Sequence, residues 1–395
     1  MTLIQNCTNN AISSNGFFSA SRITATLPLD TINWQLALRI LFYSLLVLFT
    51  FNLPTTPNIQ LEMSQCPLEN FGGLDKIFAK YFGGDFVYDI SIIGAGVIDV
   101  LIGAVDEKIF SRHSTEADFI ELSFGGDALN EAIVLSRLGK KVQWISKVGD
   151  DDAGCRILNY AAENGLSVAG VTIEAGLETG VSVVLVDSSG ERRFLTNPRS
   201  SLRRLSAADI IPHVDGMAQI VCLASMFVSP PLDIAATEKI FRLIKSKPRI
   251  LAFDMKKPLN GETLSDMASL LPYADYFFPN EEEIATLTGA ADIHENISAL
   301  LAHGLKCAVV KRGDEGCIIA TKDTRLEIPA CRVEKVIDTT GAGDCFAAGF
   351  LYALSEGWSL AECGRFACAA ASLSVEHVGA VAGVNSLAAV MSRYK

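Results

Sequence analysis

The chain has 395 residues, 49% of them hydrophobic, and a formal net charge of -12. That length supports one large core with additions, and the acidic balance argues against a nucleic-acid backbone as partner. It leaves a small anionic nucleotide open, because local amides and magnesium outweigh global charge.

Ten cysteines are scattered singly, as at Cys155, Cys222, Cys307, Cys317, Cys345, Cys363 and Cys368. No CxxC pair or Cys/His cluster suggests zinc, so free thiols in a reducing compartment are expected.

Residues 1 to about 62 differ from the rest: they are rich in Asn, Ser and Thr, and their only charges are Arg22, Asp30, Arg39 and Glu62. Trp34 to Leu53 is apolar enough and long enough to span a bilayer, with Arg39 able to snorkel. As an anchor it would send the C-terminal part outside, since arginines precede the span and only carboxylates closely follow it. Free thiols do not belong there, and no small-x-small cleavage site ends the run. Three readings remain, in this order: a translated upstream region with Met63 as a possible start, a real anchor, or a targeting peptide. We take residues 1–85 as an extension that packs poorly on the core, and residues 86–395 as the globular domain.

Phe86 to Ile93 reads as a buried strand, followed by Gly94-Ala95-Gly96-Val97-Ile98-Asp99. Two glycines after a first strand invite a dinucleotide site, but Asp99 in the third glycine position would repel a pyrophosphate. Read alone, Asp99 is as well explained as a turn former. Phe119 to Phe124 is a strand, and Gly125-Gly126-Asp127-Ala128-Leu129-Asn130 opens a helix that ends at Gly139. Paired glycines let a ligand lie against backbone, and Asn130 offers vicinal hydroxyls both a donor and an acceptor, although Asn at a helix start is also an ordinary cap. Val171 to Ile173, Gly180 to Asp187 and Glu191 to Leu195 read as strands joined by a tight turn.

From about residue 209 strands and helices alternate: Gln219 to Leu223, helix 233 to 246, Arg249 to Asp254, helix 261 to 270, Tyr276 to Asn280. Continuous apolar strands separated by helices predict a parallel sheet covered on both faces, with ligands at the C-terminal strand ends. Asp99, Asp254, Asn280 and Asp344 are expected there. Asn280-Glu281-Glu282-Glu283 puts Asn and Glu on one face of a starting helix, which without context is dipole compensation. Cys307 to Cys317 reads as strand, turn and strand, with Lys311 and Arg312 at the turn.

Arg332 to Ile337 alternates like a last strand and leads into Asp338-Thr339-Thr340-Gly341-Ala342-Gly343-Asp344, after which Phe346, Phe350, Leu351 and Leu354 recur at helical spacing. Gly341 and Gly343 let the backbone approach a ligand and leave the first helix amides free, a site for a phosphate or a developing oxyanion. An acidic side chain among those amides caps the helix in the plain reading. It makes chemical sense as a general base that takes a hydroxyl proton while the amides stabilise an incoming phosphoryl group. Cys345 beside it is read as a small helix residue rather than a redox site.

Asp338 to Asp344, with the small residues and Gly349-Phe350 that follow, closely resembles the C-terminal signature of the PfkB/ribokinase-like carbohydrate kinases. The spacing of Gly125, Gly126, Asn130, Gly139 and Gly149 reproduces that family's N-terminal signature. Gly190-Glu191-Arg192-Arg193-Phe194 with Arg199 resembles the lid stretch of bacterial fructokinases and 2-keto-3-deoxygluconate kinases. The resemblance covers roughly residues 86 to 395.

It implies an α/β fold: a three-layer α/β/α domain with a mostly parallel central sheet and a small β lid drawn from parts of 100–127 and 171–200. It implies transfer of the γ-phosphoryl of ATP to a hydroxyl of fructose, ribose or 2-keto-3-deoxygluconate. Asp344 would be the base and Gly341, Ala342 and Gly343 the anion hole. Asp99, Gly125, Gly126, Asp127 and Asn130 would hold the sugar, and Arg199 would reach a keto or carboxylate group or stay solvated. Asn280, Lys311, Gly313, Gly316 and Gly379 would border the nucleotide, with Glu283 holding Mg2+ through water and Asp338 and Thr340 a monovalent cation such as K+. The resemblance also implies a cytoplasmic enzyme, membrane-associated only if 34–53 is a real anchor, and a homodimer through the lid. A catalytically silent sugar-binding regulator and a nucleoside kinase are the alternatives on the same fold.

Overall fold

The computed structural model describes residues 87–103, 105–187, 192–258 and 260–395; the apolar run 34–53 and the whole extension lie outside the described residues. Among the described residues no helix is long and apolar enough to cross a membrane.

The large sheet is built from strands that are apolar on both faces. Its centre is β1 (Ile90–Ile93), β4 (Val142–Gly149), β8 (Ile220–Met226) and β9 (Ile250–Met255), in which nearly every residue is buried. Such strands need cover on both sides, and helices supply it. β5 (Ser167–Glu174) lies on one edge; β10 (Tyr276–Phe277), β11 (Cys307–Lys311), β12 (Cys317–Ala320) and β13 (Arg325–Ile328) extend the other. The order is β13-β12-β11-β10-β9-β8-β1-β4-β5, parallel except where β12 pairs antiparallel with both of its neighbours.

Side chains alternate between two cores. Ile92 and Cys222 face one layer with helices α1 (Asp127–Arg137) and α2 (Asp152–Glu163), whereas Ile93, Val221 and Leu223 face the other with α3 (Ile234–Ile244), α4 (Glu281–Thr288) and α5 (Ile293–Ala302). The first layer also holds α6 (Ala342–Ser355), α7 (Leu360–Ser374) and α8 (Leu387–Tyr394). α6 and α7 approach closely because their contact is made of small residues: a Cβ on Gly349 would meet Ala370 Cβ at 3.0 Å and Ala367 Cα at 3.1 Å. The packing of α6 on α7 and α1 fixes its N-terminus, and with it Asp344.

A second sheet has the order β3-β2-β6-β7, from β2 (Val97–Ile102), β3 (Ile120–Gly125), β6 (Val181–Val186) and β7 (Arg192–Thr196). Residues 171 to 173 do not belong to it, since they pair with β4 as part of β5 in the large sheet. Asp99 is likewise not at a strand end of the large sheet. Gly94, at φ +148°, lets the chain leave that sheet, and Asp99 sits in mid-strand on β2.

Arg332 to Ile337 forms no strand. The amides of Ile337 and Asp338 bond the carbonyl of Val375 after α7, while the alternating side chains of Val336 and Ile337 are exposed. The helix expected over 261 to 270 shrinks to Leu264–Met267. Among the described residues seven cysteines are free thiols and Cys155 is disulfide-bonded, which departs from the expected free-thiol state.

Candidate active site

Gly341, in the left-handed region at φ +71°, is the residue before α6, and a Cβ there would meet Ala380 at 2.4 Å. The helical ladder begins only at Cys345, whose amide bonds the Gly341 carbonyl at 2.8 Å. The amides of Gly343 and Asp344 therefore precede the ladder at the positive end of a helix. The Lys311 ammonium lies 3.5 Å from where a Cβ on Gly343 would stand, so a cation and the free amides share one spot.

Asp344 occupies the first turn of α6 and is buried. Asn130, from α1, donates Nδ2 to its Oδ2 at 2.7 Å across 214 residues of sequence. Burial and the nearby Asp127 push the Asp344 carboxyl up to about 6, against the pull of Lys256, Asn130 and Lys311. Asp99, pushed up to about 6 by burial and by Asp127, is hydrogen-bonded to Ser182 and faces the same group of charges. Its Oδ2 fills the space a side chain on Gly125 would need, 2.1 Å from that Cβ position. Gly126, at φ +95°, packs its bare side on the Ala95 carbonyl. Asp127 Oδ2 accepts from Ser225 Oγ at 2.8 Å and pairs with Lys256 Nζ at 3.1 Å.

Lys311 rather than Arg312 points inward. Its Nζ pairs with Asp254 Oδ2 at 2.5 Å, at the C-terminal end of β9, whereas Arg312 turns out to Glu281 and Glu315. Burial raises the Asp254 carboxyl and Lys311 opposes it. Asn280 and Glu283 form a reciprocal cap at the start of α4, each side chain accepting the other's amide at 2.8 Å. A cleft of about 270 Å3 joins Asp254, Lys256, Asn280, Glu283, Lys311 and Asp344. A larger, more open groove between Ser298 and Arg325, about 460 Å3, contains none of the residues expected from sequence.

Arg199 is exposed in the turn after β7, the solvated one of its two expected outcomes. The lid arginine at the site is Arg192, whose Nη2 lies 2.5 Å from Asp338 Oδ1. Asp338 Oδ1 also accepts from the Thr340 amide at 2.8 Å, and Oδ2 from the Gly379 amide at 2.9 Å. Burial alone would raise Asp338, but Arg192 and the two amides outweigh it and hold the carboxyl below its usual range. Both Asp338 oxygens are thus engaged by Arg192 and two backbone amides. Gly316 is explained by packing, since a Cβ there would meet the Ile328 carbonyl at 2.0 Å; Gly313, at φ +55°, makes the turn between β11 and β12. Cys345 is fully buried and its thiol is pushed up by burial, so it is not a reactive site.

Sequence reasoning missed Arg192, Lys256 and Ser225 as site residues. It also missed Glu131, fully buried beside Asp344, Asp254 and the Cys222 thiol and raised well above the usual carboxylate range by burial.

The chain matches the family model described as pfkB family carbohydrate kinase over residues 89–387. It is 33% identical over 252 residues to an uncharacterized sugar kinase of Archaeoglobus fulgidus, which covers 63% of this chain and 97% of that protein. It is 30% identical over 282 residues to probable fructokinase-6, chloroplastic, of Arabidopsis thaliana, covering 67% of this chain and 73% of the relative. An Arabidopsis thaliana ribokinase complexed with ribose and ATP matches with a TM-score of 0.67 at 24% identity, over 78% of this chain and 99% of that one. A putative ribokinase II from E. coli in complex with ATP and Mg2+ matches with a TM-score of 0.67 at 21% identity, over 78% and 98%. At these identities the structural likeness establishes the fold.

Proposed function

Because the chain belongs to the pfkB family of carbohydrate kinases, we propose that it moves the γ-phosphoryl group of ATP to a hydroxyl of a small free sugar with Asp344 as general base. The observation that carries this reading is Asp344 itself: a buried carboxyl raised to about 6, gripped by Asn130, beside free helix amides and Lys311. A base near that value is largely ionised at neutral pH yet still basic enough to take a proton.

The sugar hydroxyl gives its proton to Asp344, its oxygen bonds the γ-phosphorus, and the bond from that phosphorus to the β,γ-bridging oxygen breaks, releasing ADP. The amides of Gly343 and Asp344, with Lys311, stabilise the charge on the transferring group. Asp254 aims Lys311 at that position. Asp99 and Asn130 orient the sugar.

Glu283, Asn280 and Asp254 line the cleft as hard oxygen donors, few in number, which suits magnesium held largely through water. Magnesium held there would supply positive charge against the nucleotide phosphates. One oxygen of Glu283 is spent on the Asn280 amide, so its role is to hold that water shell.

Fructose is the first acceptor to try, given the fructokinase relative. The outward face of the small sheet, with Ile120, Leu122 and Leu195 exposed, is where a second copy would dock. The functional test is acceptor-dependent ADP release with Mg-ATP and a panel of fructose, ribose, 2-keto-3-deoxygluconate and adenosine. We expect a free sugar to drive it and to emerge carrying one phosphate. No release with any acceptor, from a chain that binds ATP, would refute the kinase; preference for adenosine would make it a nucleoside kinase.

A further inference from the structure

This inference rests on the kinase reading and narrows its acceptor. The sugar side of the site is dominated by acceptor oxygens. Asp99 projects from β2 on the same face as its pairing neighbours Ser123 and Ser182. Asp127 opens α1, and Asp344 opens α6. Asp127 is the strongest charged neighbour of both other carboxyls, so the three lie within each other's field.

An independent observation points to a ligand that donates hydrogen bonds. Asn130 is only 4% exposed, and while its Nδ2 is committed to Asp344, its Oδ1 has no partner. A buried acceptor without a donor is costly unless something supplies one. A sugar hydroxyl would supply that missing donor to Asn130 Oδ1.

The cations that the structure brings to the site are already paired with carboxylates. Arg192 is committed to Asp338 and Lys311 to Asp254, and the exposed Arg199 is not among them. Lys256, whose side chain is 53% exposed, is held by Asp127, and the charges of Asp344 and Asp254 act on it as well. A ligand carboxylate or phosphate would have to compete with Asp127 for that lysine while lying against three carboxyls.

We propose that the acceptor is an uncharged polyhydroxylated sugar, and that Asp127, steadied by Lys256 and Ser225, is the residue that turns away sugar acids and sugar phosphates. Selectivity here comes from repulsion as much as from attraction. Asp127 sets it because it acts on both the sugar anchor and the base and is ion-paired with Lys256, which lines the cleft.

The test compares kcat/KM for D-fructose and D-ribose with that for 2-keto-3-deoxygluconate and D-fructose 6-phosphate, using the full chain and Mg-ATP. Calorimetric binding of the same four compounds without ATP runs in parallel. The better neutral sugar should exceed both anions by about 100-fold or more, Asp127→Asn should shrink that ratio about tenfold, and Lys256→Met should enlarge it. Lys256 is half exposed, so its truncation keeps the test alive if the Asp127 variant does not fold. Preference for either anion, or a ratio that neither variant moves, overturns the proposal while leaving the kinase intact. If no compound is phosphorylated the kinase reading fails, and calorimetry still decides: neutral sugars binding and anions not binding support the selectivity, and the reverse refutes it.

Discussion

Asp344 is under two opposed demands. As the proposed base it must be ionised to accept a proton, yet burial and Asp127 make ionisation harder and set its carboxyl at about 6. The rate should therefore carry an acid limb: kcat/KM is level above about pH 7 and falls roughly tenfold per unit below about pH 6. A profile that stays flat down to pH 5 would contradict the assignment. The same shifts bear on stability. Asp99 and Asp344 are raised to about 6, and burial raises Glu131 well above its usual range as well. The folded chain holds these protons more tightly than the unfolded chain, so their contribution is complete below the ordinary carboxylate range and is lost as pH rises through about 6. Asp151 and Asp338 are lowered, Asp151 because Thr179 and Gly154 outweigh its burial, so their contribution is lost as pH falls below that range. The unfolding temperature should peak between about pH 4 and 6. A midpoint that climbs steadily to pH 8 would refute this balance. Asp344 and Asn130 could be read from sequence because each lies in a dense local motif. Arg192 could not be told from Arg193, nor Lys256 from Lys257, because only the pleat and the loop path decide which of two adjacent like residues points inward.

Among elements, the link between β7 and the loop before α6 matters most for the site. Arg192 crosses from the small sheet to Asp338, whose carboxylate also holds the amides of Thr340 and Gly379. One ion pair thus ties the small sheet to the loop that leads into the N-terminus of α6. Arg192→Ala should raise the KM for sugar and lower kcat, by about tenfold or more together. Arg192→Lys should restore little, since an ammonium lacks the planar fork. Unchanged constants in the alanine variant would show that the tie is only structural. The element assignments that failed did so for physical reasons. Val171 to Ile173 reads as a strand, but alternation does not say which sheet a strand joins, and its partner is β4. Arg332 to Ile337 alternates too, yet its amides turn to Val375, leaving an exposed connector. The expected helix over 261 to 270 is cut short by Gly261 at φ +76° before it and the turn at Pro272 after it. Continuous apolar strands such as β8 and β9 were readable because burial on both faces leaves no alternation to misread.

For the whole molecule, the three-layer domain brings Asp254, Asn280, Lys311 and Asp344 from four distant stretches of sequence around one cleft, and Asn130 reaches Asp344 from a fifth. The small sheet turns Asp99 and Ser182 inward and leaves Leu122 at 65% and Leu195 at 57% exposed outward. Light scattering should give a dimer, and Leu122→Lys, on that outward face, should shift it to monomer; a wild-type monomer at micromolar concentration would remove the small sheet from any assembly. The central claim is that Asp344 removes the hydroxyl proton, and one measurement tests it most directly. Turnover with Mg-ATP and the best sugar is compared between the wild type and Asp344→Asn, with ATP binding measured on both. The account predicts turnover lowered by about 100-fold or more with ATP affinity nearly unchanged. An asparagine variant that keeps most of its turnover would contradict it.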